Sequence, residues 1–269
     1  MSRSGVVFDR PPIVETVLGV QFESLAGLTS AHLGWFWKQF LGPEWDSALN
    51  ATLIPDQFER FGEQQQWQSV GQLRILLDDG TATRRVQLSR DQGERMIQLQ
   101  PSRFHYNWQN RGGVYPHYES VREAFDEQFR AFGDFAAQAG IGPLEPNQWE
   151  VTYVDHIVRG ELWQKPDDWH RVVPGLFPPP VGMSLSAFES TGGEWHFEIE
   201  PQRGRLHITA ALGRIGDTEK TALQLSFTAR GPVSKQVSLA DGLDLGHDAI
   251  LDAFLKLTSA EAQQAWGRQ

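Results

Sequence analysis

The spacing of apolar residues changes several times along the chain, and each change marks an element. In "PPIVETVLGVQFESL" apolar and polar residues alternate around Val14, Val17, Val20 and Phe22, which predicts a strand starting just after two prolines. Across "TSAHLGWFWKQFLG" the period lengthens: Leu33, Phe36, Trp37, Phe40 and Leu41 share one face of a helix, with Thr29 or Ser30 as its cap and Gly42-Pro43 as its stop. Residues 44 to 70 are less regular. The stretch "QLRILLDDGTATRRVQLSRDQGERMIQLQPSRFHYNW" then reads as three strands separated by the turn signals "DDG" and "DQGE". In the last of these Ile97 and Leu99 share a face, Pro101 and Ser102 break the register, and Phe104, Tyr106 and Trp108 share the next face, so His105 and Asn107 point the other way. From Pro116 to Ala139, Tyr118, Val121, Phe125, Phe129, Phe132 and Ala136 recur at helical spacing, and Gly140 closes a helix long enough to cross a sheet.

The order then restarts. "QWEVTYVDHIV" predicts a strand, "PDDWHRVVPGLF" a short helix between Pro166 and Pro174, and "LFPPPVG" an extended crossing. "MSLSAFES", "EWHFEIE", "RLHITAAL" and "TALQLSFTAR" predict strands, and the stripe Ala249, Ile250, Ala253, Phe254, Leu257 predicts a closing helix. "TSAE" at Thr258 to Glu261 reads as the capping box of one last helix ending near Trp266. The expected organisation is an arm over 1–12, an α+β half over 13–140, a linker over 141–148 and a second α+β half over 149–269. The predicted fold is α+β: antiparallel sheets with helices packed on one face, in two similar β-α-β(3-4)-α halves forming one pseudo-symmetric unit. That element order resembles the saddle-shaped TATA-binding-protein-like and helix-grip folds.

Composition narrows the function classes. The chain of 269 residues carries a formal charge of −10, which opposes nucleic-acid binding because that affinity rests on neutralising phosphates. One local exception, Arg74 to Arg111, holds seven arginines against four acids, read as solvated strand faces. The absence of cysteine removes disulfides and thiolate chemistry and points to a cytoplasmic protein, and no stretch approaches the apolar length of a signal peptide or membrane span.

No phosphate loop, dinucleotide fingerprint, nucleophile elbow or zinc-protease motif is present, so nothing nominates a catalytic residue or a cofactor. The most suggestive cluster is the hairpin "EWHFEIEPQRGRLHITAAL". If Glu200 pairs with Arg205, Glu198 lies opposite His207 with His196 diagonal to it, a set able to bind a metal or a ligand, though cross-strand charge pairing is its ordinary reading. Asp155 and His156 are neighbours in a strand and face opposite ways, so one of them shares the face of His196. Asp244, His247 and Asp248 are expected at a helix start, where carboxylates suit the dipole. The stretch "FHYNWQNRGGVYPHY" offers His105, Asn107, Arg111, Tyr115 and His117 as exposed surface-binding candidates, while Phe104, Tyr106 and Trp108 are expected to be core.

The segments "PPIVETVLGVQFESLAGLTSAHLGWFW", "NWQNRGGVYPHYESVREAF", "WEVTYVDHI" and "LGHDAILDAFLKLTSAEAQQAWG" resemble, over nearly the whole chain, a sporadically distributed family of uncharacterised bacterial proteins of about this size. The resemblance transfers no catalytic residue. It implies an accessory bacterial gene of the kind that serves defence or toxin control. Together these readings lead to a non-enzymatic binding or regulatory module that acts through a protein partner or self-association. The alternative is a small-ligand binder or hydrolase with its pocket between sheet and long helix, and a third is nucleic-acid binding through the arginine-rich strands.

Overall fold

The computed structural model describes residues 6–62, 85–178, 189–216 and 220–269. Nine strands form one antiparallel sheet: β1 (Ile13–Phe22), β2 (Ser47–Ala51), β3 (Arg85–Arg90), β4 (Arg95–Gln100), β5 (Arg103–Gln109), β6 (Pro146–Val158), β7 (Gly192–Glu200), β8 (Gly204–Arg214) and β9 (Thr221–Pro232). Their order across the sheet is β2-β3-β4-β5-β1-β6-β9-β8-β7. Helix α1 (Ser30–Gln39) follows β1, α2 (His117–Ala139) follows β5, and the short α3 (Trp169–Val172) follows β6. Helices α4 (Leu239–Leu257) and α5 (Ala260–Ala265) end the chain. In each half the first strand lies at the centre of the sheet and the last strand of the half pairs with it, β5 with β1 and β9 with β6. The two halves join where β1 pairs antiparallel with β6, Leu18 opposite Val151 and Val20 opposite Trp149. The α+β class, the antiparallel sheet and the helices on one face follow the apolar pattern.

Alternation along the strands separates two faces. On one, Phe104, Tyr106 and Trp108 of β5, Leu18 and Val20 of β1, and Trp149 and Val151 of β6 are all buried beneath the helices. The Phe104 ring meets Phe125, Phe129 and Phe132 of α2 at 5.8, 5.4 and 5.9 Å between centroids, and burying one such side chain contributes about 1.5–3 kcal/mol. Helix α4 approaches the sheet more closely. A Cβ on Gly242 would lie 2.2 Å from Cδ1 of Trp149, and one on Gly246 would lie 2.8 Å from its Cζ3, so the indole fits only because both positions are glycine.

Four local expectations change. The strand that ends at Trp108 is a hairpin, with Pro101 and Ser102 forming the turn between β4 and β5. An unforeseen edge strand, β2, pairs with β3; its mostly exposed side chains carry no alternation to reveal it. Helix α4 starts at Leu239, capped by the Ser238 side chain accepting from Asp241 N, so Asp244, His247 and Asp248 are interior helical positions and not the expected helix start. The glycines that fit Trp149 lower helix propensity there and hid this beginning. The last helix is capped by Ser259, which accepts from Ala262 N. The predicted strands "QLRILL" and "MSLSAF" lie outside the described residues.

Candidate functional site

The face opposite the helices is polar, and cross-strand register lines up its side chains in rows. One row runs Gln98, His105, Gly19, Glu150, Arg230, Arg205, Glu198; the next contains Asn107, Val17, Thr152, Thr228, His207, His196. His105 and Asn107 are not exposed as expected: their relative exposures are 5% and 2%. Asn107 donates to Glu15 Oε1 at 2.8 Å and accepts from Gln98 Nε2 at 2.9 Å, while Gln98 accepts from Arg85 Nη1 at 2.6 Å. The His105 ring packs against Gly19, where a Cβ would come within 2.7 Å of its Cδ2. Neighbouring polar side chains thus hydrogen-bond to one another and exclude water, which alternation alone does not reveal. Arg103, expected on a solvated face, is likewise buried and pairs with Glu150 at 3.4 Å.

Over this face runs a strap, residues 52–62, whose contacts step from strand to strand across the sheet. Ile54 N donates to Gln100 Oε1 of β4 at 2.9 Å, and Gln100 Nε2 returns a bond to Ile54 O at 2.7 Å. Ser102 Oγ donates to Asp56 Oδ1 at 2.6 Å and Arg103 Nη2 to Pro55 O at 3.2 Å, both at the start of β5. Gln57 N donates to Gln21 Oε1 of β1 at 2.8 Å, and Glu59 N to Gln148 Oε1 of β6 at 3.2 Å. The Glu59 carboxylate then accepts from Arg230 Nε of β9 at 2.8 Å and from Arg205 Nη1 of β8 at 2.5 Å, and lies 2.8 Å from His207 Nε2. Spanning six strands spaced about 4.8 Å apart requires nearly full extension of the seven residues from Ile54 to Arg60, about 3.3 Å each. Pro55 suits that geometry.

Register explains the chemistry at Glu59. Arg205 and Arg230 are direct cross-strand partners, a like-charge pairing that costs free energy unless an anion lies against both. Glu59 supplies it. Although burial works to raise its pKa, His207 and Arg230 hold it down to about 2. Glu150, on the other side of Arg230 at 3.4 Å, is also held below the usual carboxylate range, burial being outweighed by His105, Arg103 and Arg230. Burial pushes His105 down to about 4 even though Glu150 opposes it, so the imidazole is neutral near pH 7.

The other candidates fall in three places. His196 and His207 are directly opposed, their Nδ1 atoms 2.8 Å apart, and Glu198 faces Arg205. The register is therefore two residues from the expected one, because the loop has three residues, with Gln202 at a φ of 60° and a bulge between Glu198 and Glu200. The Glu198 carboxylate, on an exposed residue, accepts from Gln202 N at 2.7 Å and closes that turn. His156 shares the polar face but sits four residues further along β6 than Thr152, in the row of His196 and His207. Arg111 is exposed and donates to Gln109, while Tyr115 and His117 lie at the entrance of α2 on the helix side. Thus His105, His156 and the pair His196 and His207 lie on one face in three different cross-strand rows, and among the described residues no group of three or more His, Asp or Glu side chains is placed to hold a metal ion.

Glu59, Asp56 and the clamping glutamines Gln21, Gln100 and Gln148 were missed. Their nearest signal is the polar alternation of Arg103, His105 and Asn107 within an aromatic strand, which marks a second covered face. Comparison of the chain with protein-family models, with curated proteins and with solved structures finds no match.

Proposed function

We propose that this chain is a polypeptide-binding module whose polar sheet face takes an extended acidic segment of a protein partner, with residues 54–60 as its intramolecular occupant. The observation that carries this reading is the strap's mode of attachment. Glutamine side chains from three different strands accept from main-chain amides of the strap, and the opposed pair Arg205 and Arg230 closes on a carboxylate. Main chain and carboxylate are common to every acidic extended peptide, so the face recognises a class of segment. Among the described residues no backbone-to-backbone hydrogen bond joins the strap to the sheet, and Phe58 is exposed. Apart from the Phe61 ring, which lies 4.9 Å from the Arg205 guanidinium, the strap is held by polar contacts that a competitor can replace one for one.

A labelled peptide with the sequence of residues 53–62 tests this. It is expected to bind the double variant Asp56→Ala/Glu59→Ala with micromolar affinity, to bind the parent at least about tenfold more weakly, and to lose affinity in high salt. A peptide with glutamine in place of its glutamate should fail on the variant. Equal binding of the two peptides, or no saturable binding to a variant that keeps its near-UV circular dichroism, rejects the proposal.

A further inference from the structure

On the opposite side of the sheet the apolar packing opens into a cavity of about 550 Å³, bounded by the arm from Val6 to Pro12, the entrance of α2, helix α4 and the sheet. Its lining is aromatic and aliphatic, including Tyr115, Tyr118, Tyr153, Phe227, Ile250 and Phe254. Asp155 of β6 also lines it. The residue is 4% exposed, and its carboxyl makes no hydrogen bond to any described residue. The neighbouring polar atoms are already engaged: Tyr153 Oη lies 2.7 Å from His247 Nδ1, Tyr115 Oη donates to Tyr153 Oη at 3.4 Å, and Tyr118 donates to Asp244 at 2.8 Å while stacking on His247 at 3.9 Å. Asp155 is the group left over for whatever enters. A buried carboxyl without a partner costs free energy and is retained where something compensates it.

We propose that this cavity binds a small organic cation, a protonated primary or secondary amine on an apolar body, whose N–H donates to the Asp155 carboxylate. The rings supply the rest of the recognition, because aromatic faces attract a cation and exclude water from the pair. The volume suits a ligand of a few rings or a short alkyl chain. This site is on the face away from the strap and does not depend on the peptide reading.

Binding is linked to protons. The titratable groups facing the cavity are Tyr115, His117 and Glu119 at the entrance of α2, Tyr118 within it, Tyr153 and Asp155 on β6, and His247 on α4. Burial pushes Asp155 up to about 7, so the empty cavity holds a proton that an entering cation must expel. Burial pushes the His247 imidazole down, which leaves it neutral and no rival for the carboxylate.

Calorimetric titration of the full chain with 2-phenylethylammonium, and with 2-phenylethanol as its uncharged counterpart, tests the assignment. The ammonium should bind the parent, release a proton near pH 6, and tighten as pH rises towards 8. Asp155→Asn should weaken it by about tenfold or more and abolish the proton release, leaving the alcohol's weak binding unchanged. The comparison of the two ligands on the parent stands whether or not the variant folds. Equal affinity for ammonium and alcohol, an unweakened Asp155→Asn variant, or no heat from the ammonium at millimolar concentration overturns the proposal.

Discussion

The two faces of the sheet are built from the same strands and exclude water by different means. On the helix side Phe104, Trp108 and Trp149 are covered by α2 and α4, and what holds them is area removed from water. On the other side Arg103, His105, Asn107 and Arg205 are nearly as inaccessible, with a single extended strap and one another for cover. The first is non-directional and indifferent to pH; the second is a network in which each group relies on the charge or hydrogen bond of the next. Equal burial therefore hides unequal vulnerability.

Three experiments put the contrast between the faces to the test. The largest loss is expected from Trp149→Ala, about 3–5 kcal/mol in denaturant unfolding, since the void lies between α4 and the sheet and Gly242 and Gly246 have no side chains to fill it. That loss should be the same at pH 5 and pH 8, and a strong pH dependence would refute the account of the apolar face. Glu59→Gln is expected to cost about 3 kcal/mol at pH 7, because a carboxyl held at about 2 in the folded state and near 4.5 when unfolded stabilises the fold only while ionised. The folded pKa is depressed, so the contribution is complete above about pH 4.5 and disappears as pH falls through about 2; the variant and parent should converge in acid. Asp155→Asn carries the opposite sign. Its folded pKa is raised to about 7, so the parent loses stability as pH rises from about 4 to about 7, and the variant should be the more stable at pH 8 by up to about 4 kcal/mol, with no advantage at pH 4. A variant less stable at pH 8 would show that the carboxyl has a compensating partner.

The same contrast marks what the amino-acid order discloses. Helix α2 is legible because its apolar stripe is unbroken and Gly140 stops it with a φ of 63°. The inward rings of β5 are legible because the alternation is clean. The start of α4 is not, since the requirement for Gly242 and Gly246 comes from an indole about a hundred positions away, and the hairpin at Pro101-Ser102 is masked because both its strands put their apolar residues on the same face. The polar face was half legible: His105 and Asn107 point where alternation puts them, but their burial depends on which strands become neighbours. Glu59 meets His207 across 148 positions, and nothing local to "DQFERF" announces that encounter. Local periodicity assigns a side chain to a face; only topology decides what stands across from it.

The strap has one further consequence. Ile54 and Asp56 are anchored in the first half, Gln57 on β1 at the seam, and Glu59 on β6, β8 and β9 of the second. A thread sewn across both halves acts as a cross-brace: the sheet cannot alter its twist about the β1–β6 seam without slipping one of these stitches, so whatever loosens Glu59 also frees the two halves to flex against each other.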